Sequence, residues 1–257
     1  MREYRLWHST TAQVSPPPLA WDALRLVRGA TVADVGCGSG AYGYLLRAGW
    51  GHTESWLQQG ITTPEKLCGL DNSRHATVLA ERHRIYDRLD ICSAVALTLD
   101  DDAVATAVCM ETVEHLYPRD VLPALRELAR IATERIVITT PAPEFIVDYP
   151  ALLAEEAEAK QDNDFMSHDE YAVLESSLHK SWLDPQRMLD AGFEISGPVT
   201  CGSHIYHADP GKVDIEAIGE VPGIPVPETS NFDPLGDWRE CYVALLGSVR
   251  AMAEVGR

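Results

Sequence analysis

The 257-residue sequence has little positive charge and no long apolar run. No stretch of about 18 apolar residues occurs, and Met1 to His8 lack the continuous apolar segment of a secretory signal. There are 21 Lys and Arg against 39 Asp and Glu, and the resulting net charge of −18 repels polyanions. These absences predict a protein of the cytoplasm that does not associate with a membrane, and they disfavour a nucleic-acid substrate without excluding it.

The sequence also lacks any Cys-x-x-Cys pair among its six cysteines. Buried free thiols in a reducing compartment are therefore expected. Hydrophobic residues make up 46% of the chain and charged residues 23%, which is apolar enough to fold. The length suits one large α/β domain with room for an insertion.

Apolar runs that are typical of strands buried on both faces alternate with helical patterns. The predicted strands are 31–35, 66–70, 103–110, 135–140, 193–195 and 240–246, and the predicted helices include 42–46, 73–86, 119–132 and 183–191. This alternation predicts an α/β fold, a Rossmann-like, doubly wound and mostly parallel sheet.

Proline-rich segments interrupt this rhythm and suggest the domain organisation. Residues 1–24 contain a stiff proline run and are expected to form an arm or cap before a catalytic domain spanning 25–257. Residues 141–182 and 200–237 carry further prolines and are predicted to be insertions, loop-like or partly helical, that form a cap or lid.

The first predicted strand runs directly into a glycine loop and then a helix. Gly36, Gly38 and Gly40 would let backbone N–H groups approach a nucleotide-like ligand closely. Asp34 stands two residues before Gly36, where a carboxylate suits a cofactor bearing an ammonium group and would repel a pyrophosphate. Asp71 ends the next strand and can accept both ribose hydroxyls.

The stretch from Asp34 to Gly40 resembles motif I of class I S-adenosylmethionine-dependent methyltransferases, and 69–73 resembles their ribose-binding motif. The resemblance implies a seven-stranded sheet and S-adenosylmethionine as cofactor. Ser93 stands where that family often has an acidic residue near the adenine. The cofactor-binding residues it implies are Asp34, Gly36, Cys37, Gly38, Gly40, Tyr42, Asp71, Asn72, Ser93 and Met110.

The sequence from Glu111 to His115 resembles a Glu-x-x-Glu-His element of several methyltransferases, including ubiquinone-pathway O-methyltransferases and small-RNA 3′-terminal 2′-O-methyltransferases. In the RNA enzymes the two glutamates and the histidine bind a divalent cation together with a second, downstream histidine. Two possibilities follow for this chain. Glu111, Glu114, His115 and His179 would hold a divalent cation, or Glu111, His115 and His179 would form a metal-free catalytic pocket for proton transfer, which is the favoured interpretation.

These patterns together predict methyl transfer to a hydroxyl of a small-molecule acceptor, such as a sugar or a secondary metabolite. A metal-assisted RNA 2′-O-methyltransferase is the main competing hypothesis, and it needs a basic groove at the mouth of the site. The arginines that would have to cluster there are Arg82, Arg84, Arg88, Arg119 and Arg126. The sequence also leaves open a nicotinamide dehydrogenase and a non-catalytic protein that binds the cofactor.

Overall fold

The computed structural model describes residues 17–49, 63–143, 179–196 and 202–223. The predicted strand at 240–246 and residues 1–16 of the predicted arm lie outside these ranges. So do residues 144–178 of the first predicted insertion and residues 200–201 and 224–237 of the second.

The described chain forms one seven-stranded sheet in the order β3-β2-β1-β4-β5-β7-β6. The first five strands are parallel, and β7 runs antiparallel to both β5 and β6. The predicted mostly parallel, doubly wound sheet is confirmed. Its strands are β1 (Thr31–Val35), β2 (Lys66–Asp71), β3 (Arg88–Ile91), β4 (Val104–Met110), β5 (Ala132–Pro141), β6 (Glu194–Ile195) and β7 (Ser203–Ala208).

The helices are short except for one. They are α1 (Pro17–Leu24), α2 (Ala41–Arg47), α3 (Val78–Arg82), α4 (Pro118–Ile131) and α5 (Pro185–Asp190), with 3-10 turns at Val113–His115, Pro210–Lys212 and Ile215–Ile218. The helix predicted over 73–86 is reduced to α3, which is followed by Arg84 in the left-handed region at φ 50°. Within the described ranges, no helix is long and apolar enough to cross a membrane.

Apolar side chains pack on both faces of the sheet, which explains why its central strands are continuous apolar runs. All seven residues of β4 are buried. In β1, Val32 packs with Leu24 and Leu46 on one face, whereas Ala33 belongs to the cluster of Leu125 on the other. The strand therefore holds the following glycine loop at a fixed place on the sheet edge.

The prediction that 200–237 is loop-like is wrong for Ser203–Ala208, which is β7. This strand pairs with β5 from Ser203↔Pro141 to Ala208↔Ile136. Its polar residues hid it from a hydrophobic pattern, because Ser203 and His207 are buried against tertiary partners. With this strand the described sheet reaches the seven strands that the resemblance implied.

Candidate functional site

The glycine loop follows β1 at the carboxyl edge of the sheet, where open α/β sheets bind ligands. Gly36 N and Cys37 N both donate to the carbonyl of Leu70, at 2.8 and 3.1 Å, which joins the loop to β2. Gly40 caps the amino end of α2 at φ 87°. A Cβ added to Gly38 would meet no described atom within 4 Å. The loop therefore leaves open space above Gly38.

The neighbouring glycines serve packing instead. A Cβ on Gly36 would collide with Thr112, and one on Gly40 would lie 2.7 Å from Ile85 Cδ1. A Cβ on Gly43 would lie 2.6 Å from the hydroxyl of Tyr86. The predicted role of close ligand approach thus fits Gly38, while Gly43 has a structural explanation.

Asp71 ties the end of β2 to this loop. Its Oδ2 accepts from Gly38 N at 2.8 Å, and its Oδ1 accepts from Ser73 N at 2.7 Å. Burial raises the pKa of Asp71, and the two backbone donors oppose that rise. A carboxylate offers about four acceptor positions, so two remain for ribose hydroxyls. Asp71 remains the predicted ribose ligand, with a second role in shaping the loop.

The other residues of the predicted cofactor site divide into buried and exposed groups. Cys37, Tyr42 and Met110 are buried around the ends of β1 and β4. Asn72 and Ser93 are exposed beyond the carboxyl ends of β2 and β3. Ser93 Oγ accepts from Val95 N at 3.4 Å within a turn. Their roles toward a cofactor stay predictions.

Asp34 is fully buried at the end of β1. Its Oδ2 accepts a 2.5 Å hydrogen bond from the hydroxyl of Tyr86, and its Oδ1 has no hydrogen-bond partner among the described residues. Desolvation raises the pKa of Asp34 to about 7; the Tyr86 hydrogen bond lowers it, the charge of Asp71 raises it, and the backbone of Gly43 has a smaller lowering effect. A cationic ligand group bound at the glycine loop would compensate the charge of this buried carboxylate.

Glu111 follows β4 in a strained backbone conformation. Its φ is 47°, in the left-handed region that non-glycine residues seldom adopt. The strain is held by its N–H, which donates to both the carbonyl and the hydroxyl of Thr139 at 3.0 Å. The side chain accepts a 3.2 Å hydrogen bond from Ser203 Oγ, while Glu111 Oε1 has no partner among the described residues.

Glu114, His115 and His179 meet beside it, with one potential ligand atom of each within 4.8 Å of the others. His115 Nε2 lies 3.9 Å from Glu114 Oε1, and the His115 and His179 ring centroids are 5.1 Å apart. Burial and the charge of Glu111 raise the pKa of Glu114 well above its usual value. Burial, helped by His115, lowers the pKa of His179 to about 3. Glu111, the fourth predicted member, also has a pKa raised by burial but lies outside this close group.

Residues 179–181 are fastened to the 3-10 turn that carries Glu114 and His115. Lys180 N and Ser181 N both donate to the Glu114 carbonyl, at 2.7 and 3.2 Å. Ser181 Oγ donates to the Val113 carbonyl at 3.2 Å, and Lys180 Nζ donates to that of His115 at 3.1 Å. This set of bonds brings His179 to the cluster although it lies far from His115 in sequence.

The sequence did not reveal five residues that support the glycine loop with Asp34 or the cluster around Glu114. These residues are Thr112, Tyr86, Lys180, Ser181 and Ser203. The surroundings of Tyr86 are apparent only in the folded chain. Gly40 and Gly43 lie at the start of α2 and Gly69 lies on β2, and an added Cβ on each would approach the Tyr86 ring or hydroxyl. Several glycines around one aromatic residue indicate that its ring needs their space.

Two of the arginines that an RNA groove would need are engaged elsewhere. Arg88 begins β3, at the opposite edge of the sheet from the glycine loop, and pairs with Asp90 at 2.6 Å. Arg126 makes hydrogen bonds of 2.7 and 2.9 Å to both oxygens of Glu216. The Arg119 guanidinium stacks on Tyr117, which is two residues beyond His115 in the sequence, at 5.0 Å from the ring centroid. Arg88 therefore lies away from the mouth of the site, and Arg126 is paired with an acidic residue.

The strand order and the glycine loop together define the class I methyltransferase fold. No family model matches the chain, and no curated protein matches its sequence. Solved structures are similar only in fold. A Rhodobacter sphaeroides protein provisionally described as a zinc-dependent alcohol dehydrogenase is 12% identical, with a TM-score of 0.50 over 79% of this chain and 95% of that one.

Two further solved structures carry methyltransferase names. A Thermotoga maritima S-adenosylmethionine-dependent methyltransferase is 17% identical over 81% of this chain and 95% of its own, with a TM-score of 0.46. The magnesium protoporphyrin IX methyltransferase of Synechocystis PCC 6803 is 16% identical over 80% and 84%, with a TM-score of 0.43. At these identities the chain's activity has to be argued from its own residues.

Proposed function

We propose that this chain is an S-adenosylmethionine-dependent methyltransferase that methylates a hydroxyl of a small molecule. The observation that carries the proposal is the open space above Gly38, bounded by the carboxylate of Asp71 and close to the buried carboxylate of Asp34. Such a site suits a ligand with ribose hydroxyls and an ammonium group. The net charge of −18 favours an acceptor other than a polyanion.

S-adenosylmethionine, when bound, supplies an electrophilic methyl group on a positively charged sulfur. Asp71 would bind the ribose, and Asp34 would compensate the ammonium charge. β4 is the neighbour of β1 in the sheet, so Glu111 and His115 lie one strand away from the glycine loop at the same edge. There, orientation of the acceptor and exclusion of water would provide much of the rate enhancement.

His115 is the residue best placed to remove a proton from an acceptor hydroxyl. Its side chain is 22% exposed, whereas Glu114 beside it is buried. His179 is a poorer base than the sequence predicts, because a pKa of about 3 leaves its lone pair weakly basic. We therefore assign proton transfer to His115 and a supporting role to His179.

A second candidate is metal-assisted methylation, and a specific observation favours it. Glu114, His115 and His179 offer one carboxylate and two imidazoles in a close group, and Glu114 Oε2 has no hydrogen-bond partner among the described residues. A neutral imidazole of low basicity can still ligate a cation. Such a cation would lower the pKa of an acceptor hydroxyl.

Calorimetric titration with S-adenosylmethionine tests the cofactor, and turnover assays on pools of small hydroxyl compounds and of RNA test the acceptor. Activity on small molecules that survives chelator supports the metal-free proposal. Loss of turnover in chelator, with rescue by magnesium or manganese, would move the assignment to the metal-assisted candidate. Activity confined to RNA would contradict the small-molecule acceptor, and absence of cofactor binding would contradict the function altogether.

A further inference from the structure

Tyr86 fills a niche behind the glycine loop. It is 8% exposed and lies between the end of α3 and the start of β3. Its ring and hydroxyl occupy the space that a side chain on Gly43 or Gly69 would need, since an added Cβ on either would come within 2.6 Å. α2 and β2 therefore both carry a glycine where they face this ring. The aromatic ring is fixed by packing from two sides.

The Tyr86 hydroxyl uses that fixed position to reach Asp34. The 2.5 Å hydrogen bond is buried and joins residues 52 positions apart. It engages Oδ2 and leaves Oδ1 as the acceptor without a described partner. The other titratable groups that act on Asp34 are Asp71 from β2, Cys37 from the loop and Cys109 from β4, and none of them is a cation.

We propose that Tyr86 is a positioning residue of the cofactor site, which fixes the carboxylate of Asp34 next to the glycine loop for the ammonium group of S-adenosylmethionine. The inference rests on the proposed function. It adds a residue that no motif marks, and it gives the glycines around Tyr86 a reason in cofactor binding.

The hydrogen bond has an electrostatic consequence that packing alone would not have. A donor to the carboxylate favours its ionised form, and in this site it opposes the desolvation that raises the pKa of Asp34 to about 7. Removing the hydroxyl should raise that pKa further. Near neutral pH more Asp34 would then be protonated and unable to attract a cation, and raising the pH would restore its charge.

The test is calorimetric affinity for S-adenosylmethionine at pH 7 and pH 9, in the wild-type chain and in Tyr86→Phe. The variant keeps the ring in its niche and loses the hydroxyl. We expect about tenfold weaker binding at pH 7, the usual size for a hydrogen bond to a charged group. The difference should shrink to about threefold or less at pH 9, where Asp34 is ionised in both proteins. The cofactor's own amino group titrates equally in both, so it cancels from the ratio.

Tyr44→Phe is the matched control, because Tyr44 lies on α2 with 63% of its surface exposed. It should bind like the wild type at both pH values. A ratio for Tyr86→Phe that is 1 at pH 7, or that is the same at both pH values, would overturn the inference while leaving the proposed function intact. Absence of binding by the wild-type chain would overturn both.

Asp34→Asn provides the second arm and remains informative if Tyr86→Phe folds poorly. It should weaken binding at both pH values, and more at pH 9, where the wild-type carboxylate is fully charged. Adding Tyr86→Phe to Asp34→Asn should cost no more than about twofold, since the charge on which the hydroxyl acts is gone. Additive losses in the double variant, or full affinity in Asp34→Asn alone, would contradict the proposal.

Discussion

Two buried polar clusters lie at opposite edges of the same sheet, and they differ in how well their members are paired. At the amino edge, Arg135 on β5 contacts His207 Nδ1 at 3.1 Å, and His207 Nε2 contacts Ser196 Oγ at 2.5 Å. Arginine can only donate, so Nδ1 accepts and the Nε2 proton is directed to Ser196. Asp209 joins the group through Arg135 Nη2 at 3.5 Å and also pairs with Arg28 and Lys212, while Arg135 Nε has no hydrogen-bond partner among the described residues.

The carboxyl-edge cluster of Glu111, Glu114, His115 and His179 is different. Two carboxylates lie close enough for one to raise the pKa of the other, and each has an oxygen without a partner among the described residues. Like charges buried together are costly, whereas a network that pairs opposite charges, as Arg135 and Asp209 do, adds rigidity. The amino-edge cluster therefore has the properties of a structural element, and the carboxyl-edge cluster those of a site that a ligand completes.

The largest expected difference between the two clusters is the effect of replacing one histidine in each by alanine. His115→Ala should lower turnover by about 10² to 10⁴ through lost proton transfer, with little change in the free energy of unfolding. His207→Ala should lower the free energy of unfolding by about 2 to 3 kcal/mol, because Arg135 Nη1 is left buried without its acceptor. Turnover and chemical denaturation of both variants measure this, and equal turnover in both would remove the distinction.

A second contrast uses two glycines of positive φ. Gly38 has φ 48°, Gly219 has φ 68° and ψ −145°, and an added Cβ meets no described atom within 4 Å at either position. Gly38→Ala should weaken S-adenosylmethionine binding by about 10- to 100-fold, because its methyl group enters the ligand's space. Gly219→Ala should also strain the backbone, because the φ and ψ of Gly219 are almost restricted to glycine, and should leave binding unchanged. Calorimetry decides, and equal affinities would mean that the space above Gly38 is not the cofactor site.

The fold was largely predictable because the central strands are apolar on both faces. The predicted runs 31–35, 66–70, 103–110 and 135–140 correspond to β1, β2, β4 and β5. β7 was missed because Ser203 and His207 are buried by partners that only the folded chain provides, Glu111 for one and Arg135 for the other. A hydrophobic pattern cannot contain that information.

The site was predictable where it depends on local sequence and less so where it depends on contacts. The spacing of Glu114 and His115 fixes their proximity within one turn. Only the resemblance pointed to the distant His179, which the structure brings within the same close group. Glu111 was expected in the same close group, but its carboxylate instead accepts a hydrogen bond from Ser203. The bond between Tyr86 and Asp34 left no local trace, since the two residues are 52 positions apart.

The pH dependence of stability sharpens the comparison at the amino edge. Burial lowers the pKa of His207 below its usual 6.5, with Arg28 adding to the effect and Glu194 opposing it. Its folded-state pKa is depressed, so neutral His207 contributes stability that is present above pH 6.5 and is lost as the pH falls below it. The loss is at most about 1.4 kcal/mol per pH unit.

The free energy of unfolding of His207→Gln should fall less steeply with acid than that of the wild type, as measured by urea denaturation from about pH 7 to 5. The variant should keep wild-type cofactor affinity. An unchanged slope would mean that His207 does not titrate there.

The smallest expected effect concerns the strained backbone of Glu111. Both Glu111 and Asp102 have positive φ, 47° and 55°, but Asp102 lies in an exposed turn before β4. Glycine relieves left-handed strain, so each change to glycine should raise the free energy of unfolding by about 1 kcal/mol. Glu111→Gly should also lose turnover, whereas Asp102→Gly should retain it. Denaturation and turnover of the two variants check this together. If the strain at Glu111 is retained because the carboxylate serves the site, Glu111→Gly should be more stable and less active. A Glu111→Gly protein with full turnover would show that the strain has no functional role.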